Sequence, residues 1–157
     1  MQGYFQNGYI THDLERAMAL CAPLLGTSDF TTMEVELSLS TKEGDRSMQV
    51  RVATAWSGAL QVELIEPLGG HVDPYLDVLP HDRTDAAPRF HHTAVRRDDL
   101  ERMRREIASL RLPVVFETGG SGISSILVDA RERIGHHLEF VCADPQGWDL
   151  LGWPRSI

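Results

Sequence analysis

The hydrophobic positions in the first part of the chain follow two different periods. In the segment DLERAMALCAPLLG, apolar residues recur every three or four positions, which predicts an amphipathic helix that begins after Asp13 and stops at Gly26. Alternation with a period of two, typical of strands, marks QNGYIT before this helix. The same alternation marks FTTMEVELSLS, SMQVRVATAWSG and ALQVELIEP after it. The predicted order is therefore βαβββ.

The same order returns after a segment that is rich in proline. Residues 67–88 contain four of the eight prolines and predict a connector, with one helical turn around Pro74 to Leu79. RFHHTAV then predicts a strand, DDLERMRREIASL a helix with Asp98 and Glu101 at capping-box spacing, and PVVFET, SSILVDA and HHLEFVCA three strands. We divide the chain accordingly into a first module (1–66), a connector (67–88) and a second module with a C-terminal tail (89–157).

The repeated order indicates an internal duplication within one α+β unit. The tetrapeptide DLER opens both predicted helices, at Asp13 and Asp99. Gln6 stands seven residues before the first copy, and His92 stands seven residues before the second. Equivalent positions in two copies of one strand should project from equivalent points of the sheet, so Gln6 and His92 are predicted to be counterparts.

Two carboxylates complete a candidate site. Glu63 and Glu139 lie among apolar neighbours on the fourth predicted strand of each module. A buried, unpaired carboxylate is costly, so each needs a cation, a proton or hydrogen-bond donors. Together with Gln6 and His92 they offer three oxygens and one nitrogen to a single divalent ion. This set suits zinc, and also nickel, cobalt, manganese or ferrous iron.

Four stretches, QNGYITHDLERAM, LQVELIEPLG, FHHTAVRRDDLERM and HHLEFV, occur in this order and resemble the vicinal oxygen chelate superfamily. Glyoxalase I, methylmalonyl-CoA epimerase, extradiol dioxygenases and bleomycin-resistance proteins belong to it. The resemblance implies two tandem βαβββ modules that form a cupped, mixed eight-stranded sheet with the helices outside. It also implies a divalent metal ion held by the first and fourth strands of each module, here by Gln6, Glu63, His92 and Glu139.

The resemblance is closest in motif to two activities. The ligand order Gln, Glu, His, Glu matches zinc-type glyoxalase I, whereas VELIEPLG is similar to the CoA epimerases. That type of glyoxalase I has an arginine four residues after its first ligand, but this chain has Ile10 there. A second arginine is approximated only by Arg89, one residue out of register. Glutathione recognition is therefore not our first expectation.

The predicted function is a metal-dependent lyase or isomerase that abstracts a proton next to a carbonyl of a small molecule. Glu139 or Glu63 is the candidate base. His137, two residues from Glu139 on the same strand, should face the same side and act as an outer partner or proton shuttle. Gln61 stands in the same relation to Glu63 and should orient it or contact substrate. Trp56 either lines the cup or packs against it.

Structural interpretations of the same residues stay open. Both glutamates can be ion-pair partners of arginines, and Gln6 can form hydrogen bonds in a metal-free pocket. His91 should point to the face of its strand opposite His92. The alternative function is therefore a non-catalytic protein that binds a small molecule, as bleomycin-resistance proteins do. Extradiol ring cleavage is disfavoured because its usual ligand set needs a histidine where this chain has Gln6.

Charge and composition limit the partners and the cellular locations that we expect for the protein. The net charge of −8 repels phosphate backbones and argues against nucleic acid as a partner. No apolar run approaches the length of a membrane span, and the first residues lack the pattern of a signal peptide. Two isolated cysteines make no disulfide framework. We expect a cytoplasmic protein, and the resemblance implies a homodimer.

Overall fold

Eight strands close into one barrel in the computed structural model, which describes residues 3–27 and 29–153. The strands are β1 (Gly3–Ile10), β2 (Thr31–Thr41), β3 (Gly44–Ser57), β4 (Leu60–Gly70), β5 (Arg89–Arg97), β6 (Val114–Gly120), β7 (Ile123–Val128) and β8 (His137–Ala143). The helices are α1 (Leu14–Leu25), α2 (Asp73–Leu76), α3 (Leu100–Leu110), α4 (Arg131–Ile134) and α5 (Pro145–Leu150).

The barrel is built from two equivalent four-stranded sheets. Around the barrel the strands follow β1-β4-β3-β2-β6-β7-β8-β5. The first module appears in the order first, fourth, third, second, and the second module appears in the reverse order, so equivalent strands have equivalent neighbours within each module. The first and fourth strands of each module are parallel, while the modules join through antiparallel β1–β5 and β2–β6 pairs. The predicted fold class, two βαβββ modules in a mixed eight-stranded sheet, is confirmed.

The pairing of β1 with β5 shows how the two modules are related. Gln6 lies opposite Ala94, and Gly8 lies opposite His92. A twofold rotation that exchanges the two strands therefore exchanges Gln6 with His92 and Gly8 with Ala94. The counterparts inferred from the DLER repeat are thus equivalent in the barrel.

Both long helices begin at an aspartate. Asp13 caps α1 and Asp99 caps α3, each with a side chain that accepts a hydrogen bond from the backbone N–H of the third helical residue. The predicted capping box of Asp98 and Glu101 is wrong by one residue. Asp98 instead accepts a hydrogen bond from Arg96, which holds it at the end of β5.

The segment between the modules is more ordered than its prolines suggest. β4 continues to Gly70, well into the predicted connector. Pro67 is tolerated because a bulge interrupts the ladder there: Val50 pairs with Pro67, and the preceding Gln49 pairs with Gly69. The expected helical turn is α2. Short α4 and α5 were not predicted, since helices of four and six residues are too short to show a period.

The core has an inner and an outer part. α1 packs on β3 and β4 through Leu14 and Ala17, and α3 packs on β7 and β8 through Met103 and Ile107. Two further clusters join residues of several strands. The first comprises Ile10, Leu39, Met48, Val50, Ile65, Tyr75, Phe116 and Leu127, and the second Phe5, Ala94, Val141 and Trp148. In the described part of the chain, no helix has the length and hydropathy to cross a membrane.

Candidate metal centre

Three of the four predicted ligands meet at one point, and we call Glu63, His92 and Glu139 the ligand cluster. Their ligand atoms all lie within 4.8 Å of one another. The Nε2 atom of His92 is 3.3 Å from Oε2 of Glu63 and 3.4 Å from Oε2 of Glu139. The His92 side chain is 3% exposed and the two carboxylate side chains 17% and 18%, so the cluster is shielded but reachable.

These distances fit a shared metal ion better than hydrogen bonds. A hydrogen bond between an imidazolium and a carboxylate is usually about 2.8 Å long. Nε2 of His92 has no hydrogen-bond partner with correct geometry among the described residues. Zinc binds imidazole nitrogen and carboxylate oxygen at about 2.0–2.2 Å, which places two tetrahedral ligands about 3.3–3.5 Å apart. The observed separations of 3.3 and 3.4 Å match that spacing.

The register of the barrel explains why these residues converge. Gly8 pairs with Glu63 on β4 and with His92 on β5, so it lies between them. A Cβ atom on Gly8 would lie 2.0 Å from Cε1 of His92 and 2.3 Å from its Nε2. The missing side chain therefore makes the space that the imidazole occupies. The twofold counterpart of Gly8, Ala94, pairs with Glu139 on β8.

Gln6, the fourth predicted ligand, is 3% exposed. Its Nε2 donates to Oε1 of Gln61 at 2.8 Å. The amide of Gln61 in turn donates to the carbonyl oxygen of Leu151 at 2.8 Å. Within the described residues, Oε1 of Gln6 is buried without a hydrogen-bond partner. A buried oxygen of this kind fits a metal ligand.

His91 is not where its strand position predicts. Gly8 and the next residue of β1 pair with His92 and Phe90, so His91 is the extra residue of a β-bulge. The bulge turns it toward its neighbour, and the two Nδ1 atoms lie 3.0 Å apart. His91 is 1% exposed, and its Nε2 lies 2.9 Å from the carbonyl oxygen of Pro74. The expectation that His91 faces away from His92 is wrong.

Two further rings, those of His137 and Tyr75, contact His91. His137 stacks on it with 4.4 Å between ring centroids, and Tyr75 meets it edge-on at 5.0 Å. Burial, followed by the charge of His92, lowers the pKa of His91 to about 3, so this ring is neutral at physiological pH. Burial also lowers the pKa of His137, which is 3% exposed.

Groups in and near the ligand cluster have shifted pKa values. Burial lowers the pKa of His92, but Glu139 and Glu63 outweigh it and raise the pKa to about 9. Burial acts against ionisation of Glu139, yet its interaction with His92 lowers the pKa of that carboxyl. Burial, followed by the charges of Glu139 and Glu63, raises the pKa of Tyr75 well above its ordinary value. The cluster can thus hold one proton between two carboxylates.

A cavity of about 600 Å³ has Ser125 in its wall, whereas Glu63, His92 and Glu139 do not line it. The hydroxyl of Ser125 donates to Oε1 of Glu139. Arg104, which also lines the cavity, pairs with Glu117 at 2.8 Å. The remaining wall combines hydroxyl-bearing, charged and apolar residues: Ser38, Ser40, Ser47, Thr118, Ser124, Arg46, Asp45, Leu39, Gly119 and Ile126.

Trp56 and Gln61, the predicted substrate-lining residues, are not among the residues that line the cavity. Gln61 is fully buried, and its amide bonds to Gln6 and Leu151. Trp56 stacks with Phe5 at 6.4 Å between centroids and belongs to an aromatic group with Trp148 and Trp153. These contacts favour packing for Trp56 and orientation of Gln6 for Gln61.

Sequence reasoning missed four residues of this region. His91 was assigned to the wrong face, and Tyr75 lay in the connector, to which no chemistry was assigned. Ser125 belongs to a predicted strand, where SSILVDA gives no sign that its hydroxyl reaches a carboxylate. Gly8 had a usable signal, since a glycine inside a strand often marks a close approach of another group.

Comparisons with known proteins place this geometry in a family. A family model described as "Glyoxalase/Bleomycin resistance protein/Dioxygenase superfamily" matches residues 5–127, most of the chain. The chain belongs to this superfamily. The resemblance drawn from the four sequence stretches is confirmed at that level. A search of curated proteins finds no match.

Solved structures of the same fold include several epimerases. Methylmalonyl-CoA epimerase from Mycobacterium tuberculosis is 20% identical, with a TM-score of 0.57 over 96% of this chain and 91% of that one. A Streptomyces coelicolor methylmalonyl-CoA epimerase variant in complex with 2-nitronate-propionyl-CoA is 18% identical, with a TM-score of 0.59 over 90% and 96%. A hypothetical protein from Bacillus halodurans is 16% identical, with a TM-score of 0.57 over 91% and 95%. At these identities the likeness shows the fold.

Proposed function

We propose that the protein is a metal-dependent lyase or isomerase of the glyoxalase and epimerase kind, which removes a proton next to a carbonyl group. The ligand cluster would hold a divalent ion through one imidazole nitrogen and two carboxylates. Gln6 would add its Oε1 atom as a further ligand. The observation that carries the proposal is the separation of 3.3 and 3.4 Å between Nε2 of His92 and the two carboxylate oxygens. Zinc suits this donor set best, and nickel, cobalt, manganese and iron are alternatives.

The chemistry divides between the ion and the chain. A divalent ion bound there would supply a Lewis acid, which would acidify the proton on the carbon beside a carbonyl. Glu139 or Glu63 takes that proton and returns it to the product. The hydroxyl of Ser125 holds Oε1 of Glu139, which leaves Oε2 facing the cluster. His137 stacks on His91, and this contact favours holding the imidazole pair in place over direct proton transfer.

The cavity wall suggests the type of substrate. Its hydroxyl-bearing residues, together with two arginines and two carboxylates, suit a small polar molecule. The structurally similar epimerases are named for a CoA thioester, so such a thioester is one candidate and a hemithioacetal is another. A homodimer in the cytoplasm stays a prediction from the sequence.

Metal binding is the first test. We expect the purified protein to bind one zinc, nickel, cobalt or manganese ion per chain at micromolar concentration, measured by elemental analysis after dialysis. His92→Ala and Glu139→Ala should abolish binding, whereas His136→Ala and Glu66→Ala should retain it. His136 contacts Thr93 and Phe90, and Glu66 pairs with Arg51, so these controls alter the same residue types outside the cluster. Absence of any bound metal in the wild type would overturn the enzyme proposal.

Proton abstraction is the second test. Incubation of the metal-loaded protein in D₂O with methylmalonyl-type thioesters and with hemithioacetals should exchange the α-proton, as followed by NMR. Glu139→Gln and Glu63→Gln should slow the exchange by at least a hundredfold if the altered residue is the base, which corresponds to about 2.7 kcal/mol. If neither substitution slows exchange, the carboxylates are not the base.

The second candidate is a non-catalytic protein that binds a small molecule. The observation in its favour is the position of His92 between two carboxylates, which raise the pKa of His92 to about 9, so that a proton could serve in place of an ion. Such a protein would bind a polar ligand in the cavity with equal affinity before and after treatment with a chelator. Calorimetric titration with and without chelator therefore separates the two candidates.

A further inference from the structure

We propose that Gln61 and His91 are positioning residues that select which atom of Gln6 and of His92 faces the metal. Each belongs to a chain of two hydrogen bonds that starts at a backbone carbonyl and ends at a predicted ligand. The amide relay runs from Leu151 through Gln61 to Gln6, and the imidazole relay runs from Pro74 through His91 to His92. This inference rests on the proposed metal site, but its hydrogen bonds can be tested without metal.

The direction of the amide relay follows from its backbone end. The carbonyl oxygen of Leu151 can only accept, so Gln61 must turn its NH₂ group toward it, at 2.8 Å. The oxygen of Gln61 then faces Gln6, which must donate with its own NH₂ group, at 2.8 Å. The amide of Gln6 is thereby fixed with Oε1 as its free atom. With the opposite orientation it would present an NH₂ group, which cannot bind a cation.

The direction of the imidazole relay also follows from its backbone end, which determines the nitrogen that carries the proton in each ring. The carbonyl oxygen of Pro74 requires an N–H on Nε2 of His91, at 2.9 Å. In a neutral ring this leaves Nδ1 of His91 as an acceptor, so His92 must donate from its Nδ1 across the 3.0 Å gap. Nε2 of His92 then keeps its lone pair for the metal. The tautomer of a ligating histidine is set by the hydrogen bond of its other nitrogen.

Burial makes both relays selective. Gln61 is 0% exposed and His91 is 1% exposed, so water cannot replace a missing partner without entering the core. His91 is the bulge residue of β5, and the bulge residue of β1 at the equivalent position is Phe5. A phenyl ring is therefore compatible with this backbone, while it offers no acceptor to the following ligand.

Nitrogen NMR on the metal-free protein tests the hydrogen bonds directly. We expect His91 to carry its proton on Nε2, and a scalar coupling through the hydrogen bond should join Nδ1 of His92 to Nδ1 of His91. The side-chain NH₂ protons of Gln6 should show close contacts to Gln61. A proton on Nδ1 of His91, or loss of the coupling, would overturn the imidazole relay. This result does not depend on whether the protein binds a metal.

Metal affinity tests the consequence. His91→Phe should weaken zinc binding ten- to a hundredfold in competition with a fluorescent chelator, whereas His91→Asn, which can place an acceptor near the former Nδ1 position, should stay within threefold of the wild type. Gln61→Leu should weaken binding about tenfold, and Gln61→Glu, which can still accept from Gln6, should weaken it less.

The outcomes distinguish a failure of the positioning roles from a failure of the proposed function. If His91→Phe and His91→Asn bind zinc equally well at unchanged thermal stability, the positioning role of His91 is refuted. Equal affinities for Gln61→Leu and Gln61→Glu would refute that of Gln61. A wild-type protein that binds no metal would refute the proposed function, while the NMR result would still decide the relays.

Discussion

The two modules of the barrel place different chemistry on the same backbone positions. The first-strand position that carries Gln6 in one module carries His92 in the other, and each follows a bulge residue, Phe5 or His91. Both predicted ligands lie in hydrogen-bonded chains that end at a carbonyl, yet one chain is built from amides and the other from imidazoles. The comparison teaches that the duplicated register sets the place of each predicted ligand, and on our proposal its buried neighbours set which atom it presents to a metal.

The residues opposite the two predicted ligands differ in a way that matches the size of the ligand side chains. Gly8 lies opposite His92, where any Cβ would overlap the imidazole. Ala94 lies opposite Gln6 and is fully buried, so the slimmer amide leaves room for a methyl group. The asymmetry between glycine and alanine is therefore coupled to the asymmetry between histidine and glutamine.

Gly8→Ala should have the largest effect on this comparison. The new methyl group would lie 2.0 Å from Cε1 of His92, so the ring must leave its place beside both carboxylates. We expect a loss of zinc affinity of up to a hundredfold and a decrease in the free energy of unfolding of about 1–3 kcal/mol, typical of overpacking. Chelator competition and urea denaturation measure the two quantities.

The matched control for this substitution lies on the other strand. Ala94→Gly removes a methyl group opposite Gln6 and creates no overlap, so metal affinity should change less than threefold while stability falls by about 1 kcal/mol. Equal losses of metal affinity for the two variants would show that the space beside His92 does not matter.

Gln6→His should have an intermediate effect that a second substitution reverses. By the twofold relation, an imidazole at position 6 would meet the methyl group of Ala94 as His92 would meet one at Gly8. We expect Gln6→His alone to weaken metal binding about tenfold, and Gln6→His with Ala94→Gly to restore at least the wild-type affinity. A double-mutant cycle on zinc affinity measures the coupling, which should exceed about 1 kcal/mol for residues in contact. Additive effects would contradict the size argument.

Much of this arrangement is predictable from local patterns. The period of the apolar positions gave the eight strands and both long helices, and the DLER repeat identified Gln6 and His92 as counterparts. The inward turn of His91 was not predictable, because it depends on a bulge that only the pairing of β1 with β5 defines. Tyr75 could not be placed either, since its contact with His91 joins a connector to a strand across the fold.

The backbone anchors of the two relays are also held differently. Leu151 follows α5, whose Trp148 packs edge-on against Phe5 while Arg96 lies 4.3 Å from the centre of its ring. Pro74 belongs to α2, and the adjacent Asp77 pairs with Arg131 of α4 at 3.1 Å. Aromatic packing is insensitive to salt and pH, whereas exposed ion pairs are not. The second anchor should therefore be the more sensitive one.

Asp129 gives the smallest predicted effect and the sharpest test of that difference. Its hydrogen bond with Arg131 lowers the pKa of this carboxyl from 3.8 to about 2. A carboxyl whose pKa is depressed in the folded state stabilises the protein above its unfolded pKa, and this contribution is lost as the pH falls toward 2. Because Arg131 is 45% exposed, solvent screening limits the contribution to about 1 kcal/mol or less. Urea denaturation should show Asp129→Asn less stable than wild type at pH 7, with the gap narrowing below pH 4 and in high salt. A gap that stays constant with pH and salt would mean that packing, rather than charge, holds α4 beside the second anchor.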